Sequence, residues 1–138
     1  MITGGVEVII GVRWDPELGP IISAGLGGTA VELIGEVHHR QLPANSRDLG
    51  RLITSGRLGA LLSGFRGSAA LDHRALTSAA LAGARLFSRE PGIGELEMNP
   101  VIVAVAGVHA VDLKIAPYDG TLDDSSTVHA QQRRRKDC

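Results

Sequence analysis

Cysteine is all but missing: the 138 residues contain one, Cys138 at the far end. No intrachain disulfide framework can form, and no Cys-x-x-Cys pair is present to hold zinc or run thiol chemistry. Aromatic residues are nearly as scarce, with two Phe, one Trp and one Tyr. A core must therefore be built from Leu, Val, Ile and Ala. Neither sign of charge prevails, 14 Lys and Arg standing against 15 Asp and Glu, so no global attraction to nucleic acid or to a membrane is implied. No apolar run approaches the roughly 20 residues that cross a bilayer. Residues 1–5 lack the basic start and apolar stretch of a secretory leader. The expectation is a soluble, cytoplasmic protein. No Ser-His-Asp order points to a hydrolase, and no internal repeat is visible.

What the chain has in quantity is glycine, 18 residues of it, and apolar residues in clear patterns. Its length suits one domain with a real core. Val6 to Arg13 reads as a strand interrupted by Glu7, and the Asp-Pro and Gly-Pro pairs between Trp14 and Pro20 as a turn. Ile21 to Ala24 returns, a glycine loop Gly25 to Gly28 follows, and Ala30 to Arg40 makes a third strand with a bend at Gly35. After Pro43 the period becomes helical. Asn45 or Ser46 can cap, Leu49, Leu52 and Ile53 fall at i, i+3, i+4, and Ser55-Gly56 interrupts before Leu58, Leu61, Leu62 and Phe65. That predicts two short helices or one broken one. Beyond a linker from Gly64 to Ala70, Asp72 caps a clearer helix. Its stripe of Leu76, Ala79, Ala80, Gly83, Ala84 and Phe87 is narrow enough to approach a sheet closely. Pro91-Gly92 ends it. The predicted order is β-β-β-α-α-β-β, an α+β fold with helices on one face of an antiparallel sheet. From Tyr118 the chain turns polar without apolar periodicity, so residues 118–138 are predicted to be a disordered tail. Its Arg133 to Lys136 run either stays solvated or meets RNA or an acidic partner.

The most informative stretch is Gly94-Glu95-Leu96-Glu97-Met98-Asn99-Pro100 with Val108 to Ile115. Leu96 and Met98 alternate with Glu95, Glu97 and Asn99, the period of a strand with one wet face. A turn at Ala106-Gly107 would make a hairpin, pairing Val105 with Val108, Val101 with Asp112 and Asn99 with Lys114. Asn99, Asp112, Lys114 and Glu97 then project from one side, with Asn99 and Asp112 diagonal neighbours about 7–8 Å apart. An amide oxygen and a carboxylate so placed can hold one Mg²⁺. The plainer alternative is an edge hairpin with a solvated polar face. A one-residue slip of register would separate Asp112 from Asn99. Elsewhere, His38 and His39 are adjacent on a strand and so point to opposite faces, unable to share a metal. Glu7 must face a site or a solvated edge. Gly25 to Gly28 is either a plain tight turn or a loop whose backbone N–H groups approach an anion. It lacks the Lys-Ser/Thr of a P-loop.

GELEMNP followed by AVDLKI resembles the end of the ATP-grasp domain in NDP-forming acyl-CoA synthetases. These include ADP-forming acetate–CoA ligases and, as a relative, the β chain of succinyl-CoA synthetase. Gly5 to Val12 (GVEVIIGV) and Gly25 to Glu32 (GLGGTAVE) are similar to two further motifs of that family, in the same order. The likeness runs from about Gly4 to Pro117, and residues 1–117 would be the C-terminal lobe of an ATP-grasp domain. The resemblance implies Asn99 and Asp112 as Mg²⁺ ligands with ATP or ADP, Glu97 as a catalytic or orienting carboxylate, and Gly27, Gly28 and Glu32 as the border of the phosphoryl-transfer site. Lys114 would touch a phosphate or neutralise Asp112, and Arg40 a phosphate or a surface carboxylate. The first lobe, the CoA-binding domain and the phosphohistidine domain would be supplied upstream or by another chain. Alone, the chain is expected to be inactive and its uncovered surfaces to favour a homo-oligomer. The alternative is a non-catalytic regulatory or interaction module derived from such a synthetase.

Overall fold

The computed structural model describes residues 5–27 and 35–118. The predicted tail beyond Tyr118 and the predicted strand start at Ala30 lie outside the described residues. Strands β1 (Val6–Asp15), β2 (Gly19–Leu26) and β3 (Val37–Gln41) come first. Helices α1 (Ser46–Ile53), α2 (Gly56–Leu62) and α3 (His73–Arg89) follow. Strands β4 (Ile93–Val103), β5 (Val108–Ala110) and β6 (Leu113–Pro117) complete the order. Every pairing is antiparallel, in the order β3-β2-β1-β4-β5, with β6 also paired to β4. This is the predicted α+β fold, with α1 and α2 separated at Ser55-Gly56 and the last strand split in two. No helix among the described residues is long and apolar enough to cross a membrane.

Period-2 alternation sorts the strands into two faces. Val8, Ile10 and Val12 of β1, Ile22, Ala24 and Leu26 of β2, and Leu96 and Met98 of β4 are buried under the helices. Leu49 and Ile53 of α1, Leu58 and Leu62 of α2, and Leu76, Ala80, Ala84 and Phe87 of α3 close over them. The small-residue stripe works as its composition suggests. A methyl group on Gly83 would sit 3.3 Å from Met98 Cε and 3.4 Å from Leu96 Cδ2, so helix and sheet meet with no room to spare.

Local caps fix the helices. The Asn45 side chain accepts from the Asp48 N–H at 2.9 Å while Asp48 accepts from the Asn45 N–H at 3.1 Å, a reciprocal capping box. Asp72 caps α3 by accepting from the Ala75 N–H at 3.0 Å, and its other oxygen accepts from the Gly107 N–H at 2.8 Å. The Asp72 N–H donates to the Ala104 carbonyl. One residue thus ties the helix start to the tip of the β4–β5 hairpin. The Gly107 and Ala75 N–H bonds hold the Asp72 carboxyl below its ordinary value of 3.8. A depressed carboxylate contributes stability that is present above the unfolded value and lost as pH falls through the folded one. Acid titration of stability should therefore show a loss below about pH 3.8 that is smaller in Asp72→Ala. An unchanged acid limb in that variant would contradict the assignment.

The hairpin corrects one expectation. The turn is not at Ala106-Gly107: the Ala104 N–H donates to the Gly107 carbonyl at 3.1 Å, so Val105 and Ala106 form the tip. Moving a turn by one residue moves every cross-strand partner by two. Val103 pairs with Val108, Val101 with Ala110 and Glu97 with Lys114. Asn99 is accordingly opposite Asp112, not Lys114. A shift of two preserves the face.

Candidate functional site

The face of the sheet turned away from the helices carries the polar residues, because each alternates with a core residue. On β4, Glu95, Glu97 and Asn99 alternate with Leu96 and Met98. Lys114 lies opposite Glu97. The Asn99 N–H donates to the Asp112 carbonyl at 3.1 Å, which brings these two residues side by side, closer than the diagonal placement expected. The Asn99 amide nitrogen donates to Glu97 Oε1 at 3.1 Å. That bond leaves the Asn99 carbonyl oxygen pointing elsewhere, and it joins the two side chains on one face.

Asn99 also sits where the β1–β4 register breaks. Val8 pairs with Val101 but Ile10 pairs with Met98, so Asn99 and Pro100 together oppose Ile9. This is a β-bulge, a device that re-aims a side chain beside a site. A proline within a strand is its one sequence signal. Beyond the bulge the buried residues change parity from Leu96 and Met98 to Val101 and Val103.

Oxygen donors suit a hard divalent cation, and the donors here are an amide oxygen and two carboxylates. Among the described residues Asp112 has no ion-pair partner within 4 Å, so Lys114 does not neutralise it. Asn99 and Asp112 are exposed and Glu97 is half-buried. Among the described residues no three His, Cys, Asp or Glu side chains gather into a metal cluster; the set depends on the amide of Asn99. The residues fit Mg²⁺.

The glycine loop is otherwise than expected. Gly25 and Leu26 belong to β2, and the Gly27 N–H donates to the Glu7 carbonyl at 2.8 Å. Gly27 is buried, and its N–H is committed to the sheet rather than free to cradle an anion. Gly28 and Glu32 lie outside the described residues. Glu7 is exposed, as a carboxylate in an apolar strand requires. Arg40 pairs with Asp48 at 3.0 Å, the surface alternative. His38 and His39 do face opposite ways. His38 Nε2 bonds Glu36 Oε1 at 2.7 Å, whereas His39 Nδ1 bonds the Ser23 hydroxyl at 2.7 Å. The His38 bond, with the Arg57 N–H, holds the Glu36 carboxyl below its usual range.

Residues not singled out from sequence line a groove of about 230 Å³ on the same open face, among them Ile9, Gly11, Arg13, Ser23 and Glu95 together with Glu97. Arg13 pairs across to Glu95, and Gly11 lies between Ser23 and Glu97. The odd-numbered alternation of Ile9, Gly11 and Arg13 against buried Val8, Ile10 and Val12 was the available signal.

The described residues thus form a helix-backed antiparallel sheet whose open face ends in a bulged Glu-x-Asn-Pro strand beside an aspartate. Residues 1–116 match the ATP-grasp domain family, and the chain belongs to that family, as the C-terminal part of the ATP-grasp domain of NDP-forming acyl-CoA synthetases. It is 37% identical over 112 residues to the β subunit of acetate–CoA ligase [ADP-forming] II of Pyrococcus furiosus, covering 80% of this chain and 48% of that one. It is 32% identical over 115 residues to acetate–CoA ligase [ADP-forming] I of Archaeoglobus fulgidus, covering 83% of this chain and 17% of that one. Its fold matches an acetyl-coenzyme A synthetase of Ca. Korarchaeum cryptofilum with a TM-score of 0.78 and 36% identity, over 85% of this chain and 55% of that one. That structure holds coenzyme A and Mg-AMPPCP, with a phosphohistidine segment pointing towards the nucleotide binding site. The chain thus spans about half of the β subunit and under a fifth of the Archaeoglobus relative.

Proposed function

We infer that these residues form the phosphoryl-transfer side of an ADP-forming acyl-CoA ligase, holding Mg²⁺ and a nucleotide against material that the rest of the enzyme supplies. The observation that carries this reading is the meeting of Asn99 and Asp112 across the β4–β6 ladder, with Glu97 bonded to Asn99 on the open face. Asn99 and Asp112 are the metal ligands. When bound, Mg²⁺ neutralises charge on the nucleotide phosphates during transfer. Glu97 orients the phosphoryl-accepting group, and its bond to the Asn99 amide nitrogen leaves the Asn99 oxygen available to a cation. Lys114, opposite Glu97 and without an ion-pair partner within 4 Å among the described residues, is placed to meet a phosphate. The family resemblance assigns Gly27, Gly28 and Glu32 to the border of the phosphoryl-transfer site; Gly27 ties its N–H to the sheet, and Gly28 and Glu32 lie outside the described residues.

An ATP-grasp site is closed from two sides, and the matched stretch supplies one. The partners are the other lobe and the CoA-binding and phosphohistidine domains. Leu113 and Ile115 of β6, 52% and 47% exposed, stand opposite Met98 and Leu96 and so extend the helix-bearing face, where they suit a covering segment or a second copy of the chain on the side away from the site. By themselves the 138 residues should bind Mg-nucleotide weakly and not turn over acyl-CoA.

Thermal unfolding with Mg-ADP tests this. At ten times the dissociation constant, stabilisation of about 1.4 kcal/mol is expected, with none from ADP in excess chelator and no ligase activity. Turnover by the chain alone would contradict the half-site reading. The absence of any Mg-ADP stabilisation would favour the non-catalytic module.

A further inference from the structure

Gly11 stands in the middle of β1, where glycine weakens a strand and often marks a close approach by a ligand or another backbone. The other glycines of the sheet answer to the fold. A methyl group would lie 3.0 Å from the Glu36 carbonyl oxygen at Gly25, 3.3 Å from the Glu7 backbone at Gly27 and 2.7 Å from Tyr118 at Gly94. Gly19 has φ +79°. At Gly11 a methyl group would meet nothing within 4 Å, and its φ is outside the left-handed region. The fold does not need this glycine. It is the bare floor of the groove, flanked by Ser23 on β2 and Glu97 on β4.

Two residues along, about 7 Å at strand rise, Arg13 closes one end of that floor. Its guanidinium is held from behind. Arg13 Nη1 donates to Asp15 Oδ2 at 3.3 Å, while Asp15 Oδ1 accepts from the Leu18 and Glu17 N–H groups of the turn, each at 2.9 Å. A turn-anchored carboxylate thus holds the guanidinium at the far end of the floor and leaves most of its five donors unused. On the β2 side the Ser23 hydroxyl is paired with His39. A bare backbone floor ending at a guanidinium with donors to spare suits one compact oxyanion. Glu95 and Glu97 on the β4 side restrict it to an anion that arrives with a divalent cation.

Resting on the reading above, we propose that Gly11 floors a subsite for the terminal phosphoryl group of the nucleotide, with Arg13 as its positioning residue. The test is nuclear magnetic resonance titration of the full chain, with Mg-AMPPCP and Mg-ADP as probes and melting temperature measured in parallel. Gly11→Val should melt at or above the parent, since a β-branched residue favours a strand. It should lose about tenfold or more in affinity for Mg-AMPPCP, and less for Mg-ADP, which lacks the terminal phosphoryl. Arg13→Gln should lose about tenfold for Mg-AMPPCP, the scale of one charge-assisted hydrogen bond. Gly11→Ala, which adds only a methyl group, covers the case in which valine disturbs the strand. Parent-like affinity in Gly11→Val, or equal losses for the two nucleotides, would overturn the subsite. If Asp112→Ala abolishes binding while Gly11→Val preserves it, only the subsite falls. If the parent chain binds neither probe, both readings fall.

Discussion

Phe87→Ala is expected to destabilise the domain by about 3–5 kcal/mol, the cost of removing a fully enclosed aromatic side chain and leaving a cavity. Phe87 is 0% exposed and is among the largest fully buried side chains in the chain. With only two Phe, one Trp and one Tyr in the sequence, few side chains of comparable volume are available to collapse into the gap. Total stabilities of about 5–15 kcal/mol are typical of domains, so this loss would remove a large share. Leu86, the preceding residue on α3, is 39% exposed, and Leu86→Ala should change stability far less. Urea unfolding of both variants checks the pair. A similar cost for the two would mean that α3 does not seat on the sheet through the stripe that ends at Phe87.

The second large effect is on ligand binding, with the fold left alone. Asp112→Ala should weaken Mg-nucleotide binding by at least about 100-fold, the upper end of what even outer-shell changes cost at metal sites. Asp112 is exposed and has no ion-pair partner within 4 Å among the described residues, so the melting temperature should hardly move. In a full-length ligase of this family, the corresponding substitution should lower activity in parallel. Lys114→Ala, two residues on along the same face, should have a smaller effect, since it contributes a point charge and no oxygen donor. A loss of similar size in both would indicate general electrostatics at the edge strand rather than ligation.

The faces of the strands were legible from period-2 alternation. Leu96 and Met98 go in, and Glu95, Glu97 and Asn99 go out. Helix starts were legible too, because Asn45 and Asp72 carry their signal in the side chain. The turn was misplaced for a reason no local reading contains. Gly107 looked like a turn residue, with φ +88°, but its N–H is taken by Asp72, 35 residues away. The turn therefore closes one residue earlier, and each partner moves by two. Asn99 and Asp112 stay on one face because an even shift keeps it, and they are adjacent rather than diagonal.

The bulge at Asn99-Pro100 depends on β1 as well as β4, so beyond the proline the sequence of one strand alone carries no sign of it. In the glycine loop the same long-range contacts were hidden. Gly25 and Gly27 are glycine because β3 and β1 press close, and no ligand is required to explain them. Gly11 is the reverse case. Buried in an apolar string, it read as ordinary strand filler, and only the empty space above it marks it out.

The claim on which the rest depends is that Asn99 and Asp112 serve one divalent ion. Mn²⁺ substituted for Mg²⁺ in the presence of ADP broadens the resonances of nearby nuclei. Broadening should be strongest at the amides around Glu97 to Asn99 and Asp112 to Lys114, fall off with distance from them, and vanish in Asp112→Ala. Broadening centred elsewhere, or undiminished in that variant, would contradict it.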